Sequence, residues 1–273
     1  MHNSLAVVTV VYNNYSDLKE FFASFDTQST QSFHIFVVDV STKPQQYSYP
    51  SYVTTLTSDN KGYAHGLNVG MHAALNQGYQ KYAFINNDTT VDKNFVKASL
   101  NSINQHPSTL IGGKIYYSSG YEFHKARYSD KERGTVLWYA GGIMDWKNAW
   151  GIHRGVDEVD MGQYDIVEET EFVTGCLMVF DTGLIEKARE MDSSYFMYYE
   201  DTDWNQQILK AGGKLIYDPR IIVWHKNAQS TGGSGSKFHE KYLNKNQLKF
   251  GLRYAPLRTK LHLLKNYAFR FFK

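Results

Sequence analysis

The feature that most constrains the fold is an alternation of buried strands and amphipathic helices along the first hundred residues. Continuous apolar, β-branched runs indicate strands that are buried on both faces, and each run is followed by apolar residues at helical spacing. Parallel strands joined by helices in this order form a doubly wound α/β sheet. The predicted strands are residues 5–11, 34–40 and 82–85, and the predicted helical stripes are residues 18–25, 67–74 and 96–103.

Local signals indicate the helix ends and the elements of the second half. Ser16 is expected to cap the first helix, Gly78 to stop the second, Asp92 to open the third and Asp181 to cap a later one. Residues 138–153 are rich in glycine, tryptophan and histidine and show weak periodicity. Further predicted strands are residues 110–117, 172–180, 215–217 and 221–224.

Composition predicts a globular protein of a reducing compartment. The 273 residues are 42% hydrophobic with a mean hydropathy of −0.47, and no run approaches the ~20 apolar residues that span a bilayer. Residues 1–4 carry neither the basic nor the apolar segment of a secretion signal. The single cysteine, Cys176, excludes an internal disulfide and a multi-cysteine metal site. We therefore expect the protein in the cytoplasm.

Charge is unevenly distributed along the chain. Nine of the 29 basic residues follow Glu240, whereas all 27 acidic residues lie at or before it. Residues 241–273 also carry leucines and phenylalanines, so a helix there can lie peripherally on the anionic inner face of the plasma membrane. The alternative is a helix docked on the body with its lysines in solvent. We expect no nucleic-acid partner, because the rest of the chain is acidic.

No linker long enough to separate two independent domains is present. We expect one domain over residues 1–236, with a first half at residues 1–105 and a second at residues 106–236. A basic amphipathic helical tail is expected at residues 237–273. Residues 231–236 have the glycine and serine content of a flexible loop.

Polar residues follow several predicted strands and indicate a ligand site. Asp39 and Asp88 end strands of the first half, where the ligands of doubly wound sheets bind. His225 ends a late strand, and the acidic cluster at residues 200–203 opens a helix. Each feature alone also has a structural explanation, as a turn, a partner of the helix dipole or a buried histidine. Together they suit Mn²⁺ or Mg²⁺ beside a diphosphate, with a remaining carboxylate as general base.

Several common catalytic motifs are absent. The sequence has no GxxxxGK[ST] loop, no GxGxxG after the first strand, no GxSxG and no HExxH. The first strand runs into Tyr12 and Asn13 without a glycine, which disfavours a dinucleotide site. Gly62, Gly66 and Gly70 recur every four residues, which favours either close helix packing or a phosphate-binding turn.

Six short motifs occur in a fixed order from about residue 5 to about residue 250. They are Val7-Val8-Thr9-Val10-Val11-Tyr12-Asn13, Val37-Val38-Asp39, Asn60-x-Gly62 to Gly70, Ile85-Asn86-Asn87-Asp88-Thr89, Val173-Thr174-Gly175-Cys176 and Tyr198-Tyr199-Glu200-Asp201-x-Asp203. This set resembles the GT-A-fold glycosyltransferases of family 2, and most closely the bacterial rhamnosyltransferase-like branch that builds surface polysaccharides.

The resemblance implies a Rossmann-like, mostly parallel GT-A sheet with flanking helices and a C-terminal helical basic tail. It implies Mn²⁺ or Mg²⁺ as cofactor, held by Asp88 and His225. Asp201 would be the catalytic base, supported by Glu200 and Asp203. The implied donor-binding residues are Thr9, Tyr12, Asn13, Asp39, Asn60, Gly62, Asn68, Asn86 and Asn87.

On the acceptor side we expect Trp138, Gly141 and Gly142, and a loop at residues 232–236 that closes over the donor. Three positions depart from the family pattern. Asn86 stands where many relatives have the first aspartate of a DxD motif, and Gln207 stands where an arginine often follows the acidic motif. The pair at residues 245–246, Lys-Asn, replaces a frequent Arg-Asn and loses bidentate geometry.

The sequence therefore predicts an inverting, metal-dependent glycosyltransferase. It would move a sugar from a nucleotide-diphosphate donor, first of all rhamnose from dTDP-rhamnose, to a glycan or lipid-linked glycan in bacterial surface polysaccharide synthesis. The alternatives are a transferase of galactose, glucose or GlcNAc from UDP, and a non-catalytic carbohydrate-binding protein. A nucleotidyltransferase is disfavoured because residues 12–14 offer no loop rich in glycine and arginine.

Overall fold

A computed structural model describes residues 2–227 and 237–269 of the chain, with side-chain surroundings for residues 4–227 and 240–268. The strands are β1 (His2–Val11), β2 (Phe33–Asp39), β3 (Val53–Thr57), β4 (Tyr79–Ile85), β5 (Thr89–Val91), β6 (Thr109–Tyr117), β7 (Leu137–Tyr139), β8 (Gly142–Asp145), β9 (Trp150–His153), β10 (Glu168–Glu169), β11 (Leu177–Asp181) and β12 (Lys214–His225). The α-helices are α1 (Leu18–Asp26), α2 (Tyr63–Asn76), α3 (Phe95–Gln105), α4 (Thr182–Ala188), α5 (Glu200–Lys210), α6 (Lys237–Tyr254) and α7 (Leu257–Phe269). A 3₁₀ turn covers Lys125–Arg127.

The described residues contain one large mixed sheet and one small hairpin. The large sheet has the order β10-β12-β6-β11-β4-β1-β2-β3, with β5 attached to β12 and β7 to β6. β1 to β4 run parallel, β6 and β12 run parallel, and β11 is antiparallel to β4 and β6. β8 and β9 form the separate hairpin. The expected mostly parallel α/β sheet with flanking helices and a helical C-terminal segment is confirmed.

The sheet is apolar on both faces because helices cover both. Successive residues of a strand point to opposite faces, so Val7 packs in a cluster with α1 and α3, whereas Val8 packs in a cluster with α2, α4 and α5. The glycine spacing in α2 serves this packing. A Cβ on Gly66 would lie 2.8 Å from Val10, and a Cβ on Gly70 would lie 2.4 Å from Val8.

Several predicted boundaries are wrong. Ser16 does not cap α1, because its hydroxyl donates to the Asn14 side chain and Asp17 occupies the N-cap. Asp92 precedes α3 by three residues and accepts from the Asn94 N–H instead. The strand expected at 172–180 is reduced to β11, since residues 172–174 have no regular secondary structure and residues 175–176 form a turn.

The strands expected at 215–217 and 221–224 are one strand, β12, with an irregularity between Asp218 and Ile222. Pro219 lies in that interval and cannot donate a ladder hydrogen bond, which accounts for the break in register. The cap predicted at Asp181 is confirmed, since its carboxylate accepts from the Leu184 N–H at 3.2 Å.

The basic C-terminal segment docks on the body through part of its surface. Phe250 of α6 and Leu263 of α7 are buried in the cluster that also contains α1 and α3. Leu257, Leu261 and Leu264 are 73%, 60% and 45% exposed. No helix within the described ranges has both the length and the apolar character to cross a bilayer.

Candidate active site

The C-terminal ends of the parallel strands open into a cavity of about 720 Å³. The turn after β4 supplies Asp88, the first turn of α5 supplies Asp201, and the end of β12 supplies His225. All three side chains line the cavity although they lie far apart in the sequence. The structure therefore brings the predicted carboxylates and the predicted histidine to one place.

Strand pairing fixes the contact between Asp88 and His225. β5 pairs with β12 so that Thr89 lies opposite His225, and His225 Nε2 lies 3.2 Å from Asp88 Oδ1 in a buried ion pair. Burial disfavours charge on the carboxyl, but the imidazole beside it lowers the pKa of Asp88. Burial also opposes the imidazolium, but the Cys176 thiol and the Asp88 carboxylate raise the pKa of His225.

The donor atoms of this pair fit a divalent cation that shares its other ligands with a substrate. Asp88 Oδ1 is buried beside His225 Nε2, and a carboxylate oxygen next to an imidazole nitrogen suits Mn²⁺ or Mg²⁺. In the part of the chain that the structure describes, no three His, Cys, Asp or Glu side chains are arranged to hold a metal. A cation at Asp88 and His225 would therefore take further oxygens from a diphosphate or from water.

The carboxylates of Asp201 and Glu200 have contrasting surroundings. Asp201 accepts from the Gly175 N–H at 2.9 Å, from the Thr202 N–H at 2.6 Å and from the Thr202 hydroxyl at 3.0 Å. Glu200 Oε2 is buried without a partner. Burial and the Asp201 carboxylate raise the pKa of Glu200 to about 8, and burial raises the pKa of Asp201. Both pKa shifts indicate that this pair shares a proton to higher pH than isolated carboxyls do, and the hydrogen-bond donors around Asp201 favour the anion there.

A strained turn presents these two carboxylates. Tyr198 and Tyr199 both have left-handed backbones, with φ of 66° and 72°. Two such residues in succession are costly for non-glycine side chains. Asn246 of α6 is buried, and its amide donates to Met197 O at 2.8 Å and to Tyr198 O at 3.0 Å. A residue of the C-terminal segment thus holds the turn from which α5 begins.

Asp203 does not line the cavity. Its carboxylate is fully buried and accepts from Arg253 Nη1 at 3.0 Å, from the Tyr195 hydroxyl at 3.1 Å and from the Gln207 amide at 2.5 Å. These contacts fasten α5 to α6. Gln207, which departs from the family pattern, belongs to this cluster.

Of the expected donor residues, five line the cavity. Gly62 has φ of +105°, and a Cβ there would lie 2.3 Å from Phe196 O, so the turn before α2 requires glycine. The Asn86 side-chain oxygen accepts from the Tyr63 hydroxyl at 2.7 Å, which fixes the amide that replaces an aspartate. The five residues are Tyr12, Asn60, Gly62, Asn86 and Asn87.

The other four expected donor residues do not line the cavity. Thr9 is fully buried in β1, and Asn13 is exposed, with its N–H donating to Ser41 Oγ at 2.8 Å. Asp39 accepts from the Tyr15 hydroxyl at 2.5 Å. Asn68 donates to Met191 O at 2.8 Å and so fastens α2 to the chain beyond α4. The donor-binding role of these four residues stays a prediction.

Of the residues expected on the acceptor side, Trp138 lines the cavity, whereas Gly141 and Gly142 do not. The Trp138 ring meets the His225 ring edge-on at 4.6 Å. Gly141 has φ of +88° beside the Arg154 guanidinium, and the Gly142 N–H donates to Thr170 Oγ1 at 2.8 Å. Both glycines shape the turn into the β8–β9 hairpin.

Sequence reasoning assigned no role to several other lining residues. One of them is His153, at the end of the stretch of residues 138–153 near which the acceptor hydroxyl was expected, and its ring meets the Trp138 ring at 4.4 Å. Burial lowers the pKa of His153 to about 4, so it is a neutral group at the cavity wall. Gly175 was part of the motif at residues 173–176 without a role of its own. Its N–H donates to the Asp201 carboxylate, which explains why this motif occurs beside the acidic one. The loop expected at residues 232–236 lies outside the described residues, as do residues 270–273 of the tail.

Comparison with known proteins identifies the class. The family model Glycosyl transferase family 2 matches residues 6–159, and the chain belongs to this family. Its fold is similar to the crystal structure of GalNAc-T7 with UDP, GalNAc and Mn²⁺, with a TM-score of 0.63 and 15% sequence identity. That match covers 90% of this chain but 47% of the other, so this chain spans about half the length of the solved relative. No curated protein matches the sequence.

Proposed function

We propose that the chain is an inverting, metal-dependent glycosyltransferase that moves a sugar from a nucleotide diphosphate to a glycan hydroxyl. The observation that carries this proposal is the convergence of Asp88, His225 and Asp201 on one cavity. The family membership supports sugar transfer as the reaction class, and the GT-A-like fold supports a nucleotide-sugar donor.

In the proposed reaction, Asp201 accepts the proton of the acceptor hydroxyl. The hydroxyl oxygen bonds to the anomeric carbon while the bond from that carbon to the diphosphate oxygen breaks, and attack from the opposite face inverts the configuration. The positive end of the α5 dipole stabilises Asp201 as an anion before it takes the proton. The raised pKa of Glu200 disfavours a second negative charge beside the base.

Asp88 and His225 are the residues that would hold Mn²⁺ or Mg²⁺ in this site. A divalent cation there supplies positive charge to a diphosphate leaving group. The solved relative was crystallised with UDP and Mn²⁺, which supports this cofactor class. Calorimetry with Mn²⁺ and the donor tests it, since Asp88→Ala should abolish the Mn²⁺-dependent part of donor binding. Equal binding by both proteins would contradict the assignment.

For the donor we propose dTDP-rhamnose first, on the resemblance of the ordered motifs to the rhamnosyltransferase-like branch. A UDP-hexose (galactose, glucose or GlcNAc) is the alternative, and the UDP of the solved relative favours it. A thermal-shift screen of nucleotide sugars with Mn²⁺ distinguishes the two, because only the true donor should bind in the cavity and so raise the melting temperature. NMR of the product then tests inversion; retained anomeric configuration would refute the mechanism.

We also propose that residues 1–236 act as one catalytic domain, followed by a tail at residues 237–273. β4 from the first half pairs with β11 from the second, so both halves share one sheet. Residues 1–105 would supply the donor side and residues 106–236 the acceptor side. The cavity lining supports a contribution from both halves, with Asn60 and Asn86 from the first and Trp138 and Asp201 from the second.

The acceptor we propose is a lipid-linked glycan of bacterial surface polysaccharide synthesis, presented at the cytoplasmic face of the membrane. The exposed leucines at positions 257, 261 and 264 fall within about 60° of one another around α7, at ~100° per residue. Basic residues lie on both flanks of this stripe, the arrangement of an interfacial helix. They are Arg258, Lys260 and Lys265.

Liposome sedimentation with anionic vesicles tests this surface. Replacing the three exposed leucines of α7 by serine should greatly reduce binding and spare transfer to a soluble acceptor, because Leu263 still anchors the helix. Leu75→Ser with Leu209→Ser is the matched control, since these leucines are 40% and 39% exposed on other helices. Unchanged vesicle binding by the α7 variant would remove the membrane proposal.

A further inference from the structure

A second cavity, of about 230 Å³, lies between the α6–α7 hairpin and the β8–β9 hairpin. Leu243 and Gln247 of α6, Leu263 of α7 and Trp150 of β9 line it. None of its lining residues also lines the larger cavity, within the part of the chain that the structure describes. It is therefore a separate concave site on the same protein.

This second cavity is lined by amides, aromatic rings and leucines. No Lys, Arg, Asp or Glu lines it among the described residues. Primary amides offer a donor and an acceptor each, the pattern that neighbouring hydroxyls of a sugar complement. An indole supplies an apolar face for the C–H surface of a sugar ring. The amides are those of Asn148, Asn244, Gln247 and Asn266, the indole is that of Trp150, and His262 adds an imidazole.

Part of this lining is fixed by hydrogen bonds and part is available. The Gln247 amide donates to Asn148 O at 2.7 Å, which leaves its side-chain oxygen as an acceptor. Asn266 and His262, one turn apart on α7, contact each other at 2.9 Å. Trp150 is 42% exposed at the mouth. A neutral, partly preorganised lining with an open aromatic face favours an uncharged polyhydroxylated ligand over a phosphate or a peptide terminus.

The two cavities flank one helix. On one side of α6, Asn246 holds Met197 and the Tyr242 ring stacks on Phe196 at 5.1 Å, and both partners line the larger cavity. On the adjacent side, Leu243 and Gln247 line the second cavity. An α-helix with its side chains is ~10 Å across, so the separation matches a short stretch of oligosaccharide.

We propose that the second cavity binds neutral sugar units of the acceptor glycan, away from the hydroxyl that reacts. That the bound glycan is the acceptor rests on the proposed function, whereas carbohydrate binding rests on the cavity lining alone. The site gives the enzyme a preference for long acceptors, because a second contact adds affinity without touching the reacting carbon.

Saturation-transfer NMR and calorimetry on the full chain, without donor, test the site. The probes are neutral malto-, cello-, chito- and manno-oligosaccharides. Trp150→Ala and Asn266→Ala remove an exposed ring and an exposed amide of the lining. Ile143→Ala is the matched control, because Ile143 is 50% exposed on the same hairpin and outside the cavity. Asp201→Asn reports on the larger cavity.

We expect at least one oligosaccharide series to bind, with affinity lowered about tenfold or more by Trp150→Ala and by Asn266→Ala. Ile143→Ala and Asp201→Asn should leave that affinity unchanged. Binding that depends on Asp201 and not on Trp150, or no binding by any series, would overturn the proposal. If Trp150-dependent binding is found but no nucleotide sugar is ever used, the carbohydrate site stands and the proposed transferase function fails.

Discussion

Replacing Asn246 by alanine should remove the hydrogen bonds by which α6 holds the turn before the catalytic carboxylates. The Asn246 amide makes two buried hydrogen bonds, to Met197 O at 2.8 Å and to Tyr198 O at 3.0 Å. These bonds hold a turn in which Tyr198 and Tyr199 are left-handed. Without them the turn can relax, and Glu200 and Asp201 follow it directly.

The expected size of the effect follows from these contacts. Two buried hydrogen bonds contribute ~0.5–1.5 kcal/mol each, so Asn246→Ala should lower the free energy of unfolding by about 1–3 kcal/mol. Two left-handed residues hold ~1–3 kcal/mol each of strain, and its release drives the turn toward another geometry. A ~1 Å displacement of a catalytic group can cost about 100-fold in rate, so kcat should fall by about that factor.

Chemical denaturation and steady-state kinetics check both parts. Asn246→Asp is the matched isosteric variant, since it keeps the shape but loses the amide donor, and it should lose kcat similarly. Leu252→Ala, at a residue 40% exposed on the same helix, should change neither quantity. A normal kcat in an Asn246→Ala protein that has lost the expected stability would refute the positioning role.

Two further predictions concern the turn before α2 and the carboxylate pair. Gly62→Ala should destabilise the fold and abolish donor binding, because its Cβ would lie 2.3 Å from Phe196 O. Gly120 also has a positive φ but has open space around its Cβ position, so Gly120→Ala should cost far less stability. Denaturation and calorimetry on both variants separate the effect of the clash from that of the backbone strain. The pKa of Glu200 is raised from 4.5 to about 8, so the folded state binds this proton more tightly than the unfolded state does. The wild-type free energy of unfolding should therefore fall, relative to Glu200→Gln, as the pH rises from 5 to 8. A pH-independent difference between the two proteins would contradict the shared proton.

The sheet was largely predictable because buried parallel strands have continuous apolar sequences. β1, β2 and β4 were each found with errors of three residues or fewer at their ends. β3 was missed, since its sequence, Val-Thr-Thr-Leu-Thr, is that of a half-exposed edge strand with little apolar signal. The continuity of β12 also escaped prediction, because its sequence divides at Pro219 whereas the strand continues along β6 on both sides of that residue.

The site was predictable where topology alone places a residue. Asp88 and His225 end strands that meet at one edge, so their convergence follows from the fold class. Helix faces were harder to assign. Asp203 follows Asp201 by two residues, about 200° around α5 at ~100° per residue, so the two carboxylates face different surroundings. Asn246 could not be assigned its role from sequence, since its partners lie 48 and 49 residues away.

The most direct test of the central account is donor binding and transfer measured side by side in Asp201→Asn. The amide has nearly the size of the carboxylate but cannot take a proton, and general-base assistance is worth ~10²–10⁴-fold. We expect the Mn²⁺-dependent affinity for the nucleotide sugar to survive while transfer falls by at least about 100-fold. Transfer at the wild-type rate would contradict the account, because the Asp201 carboxylate in the cavity wall would then have no chemical role.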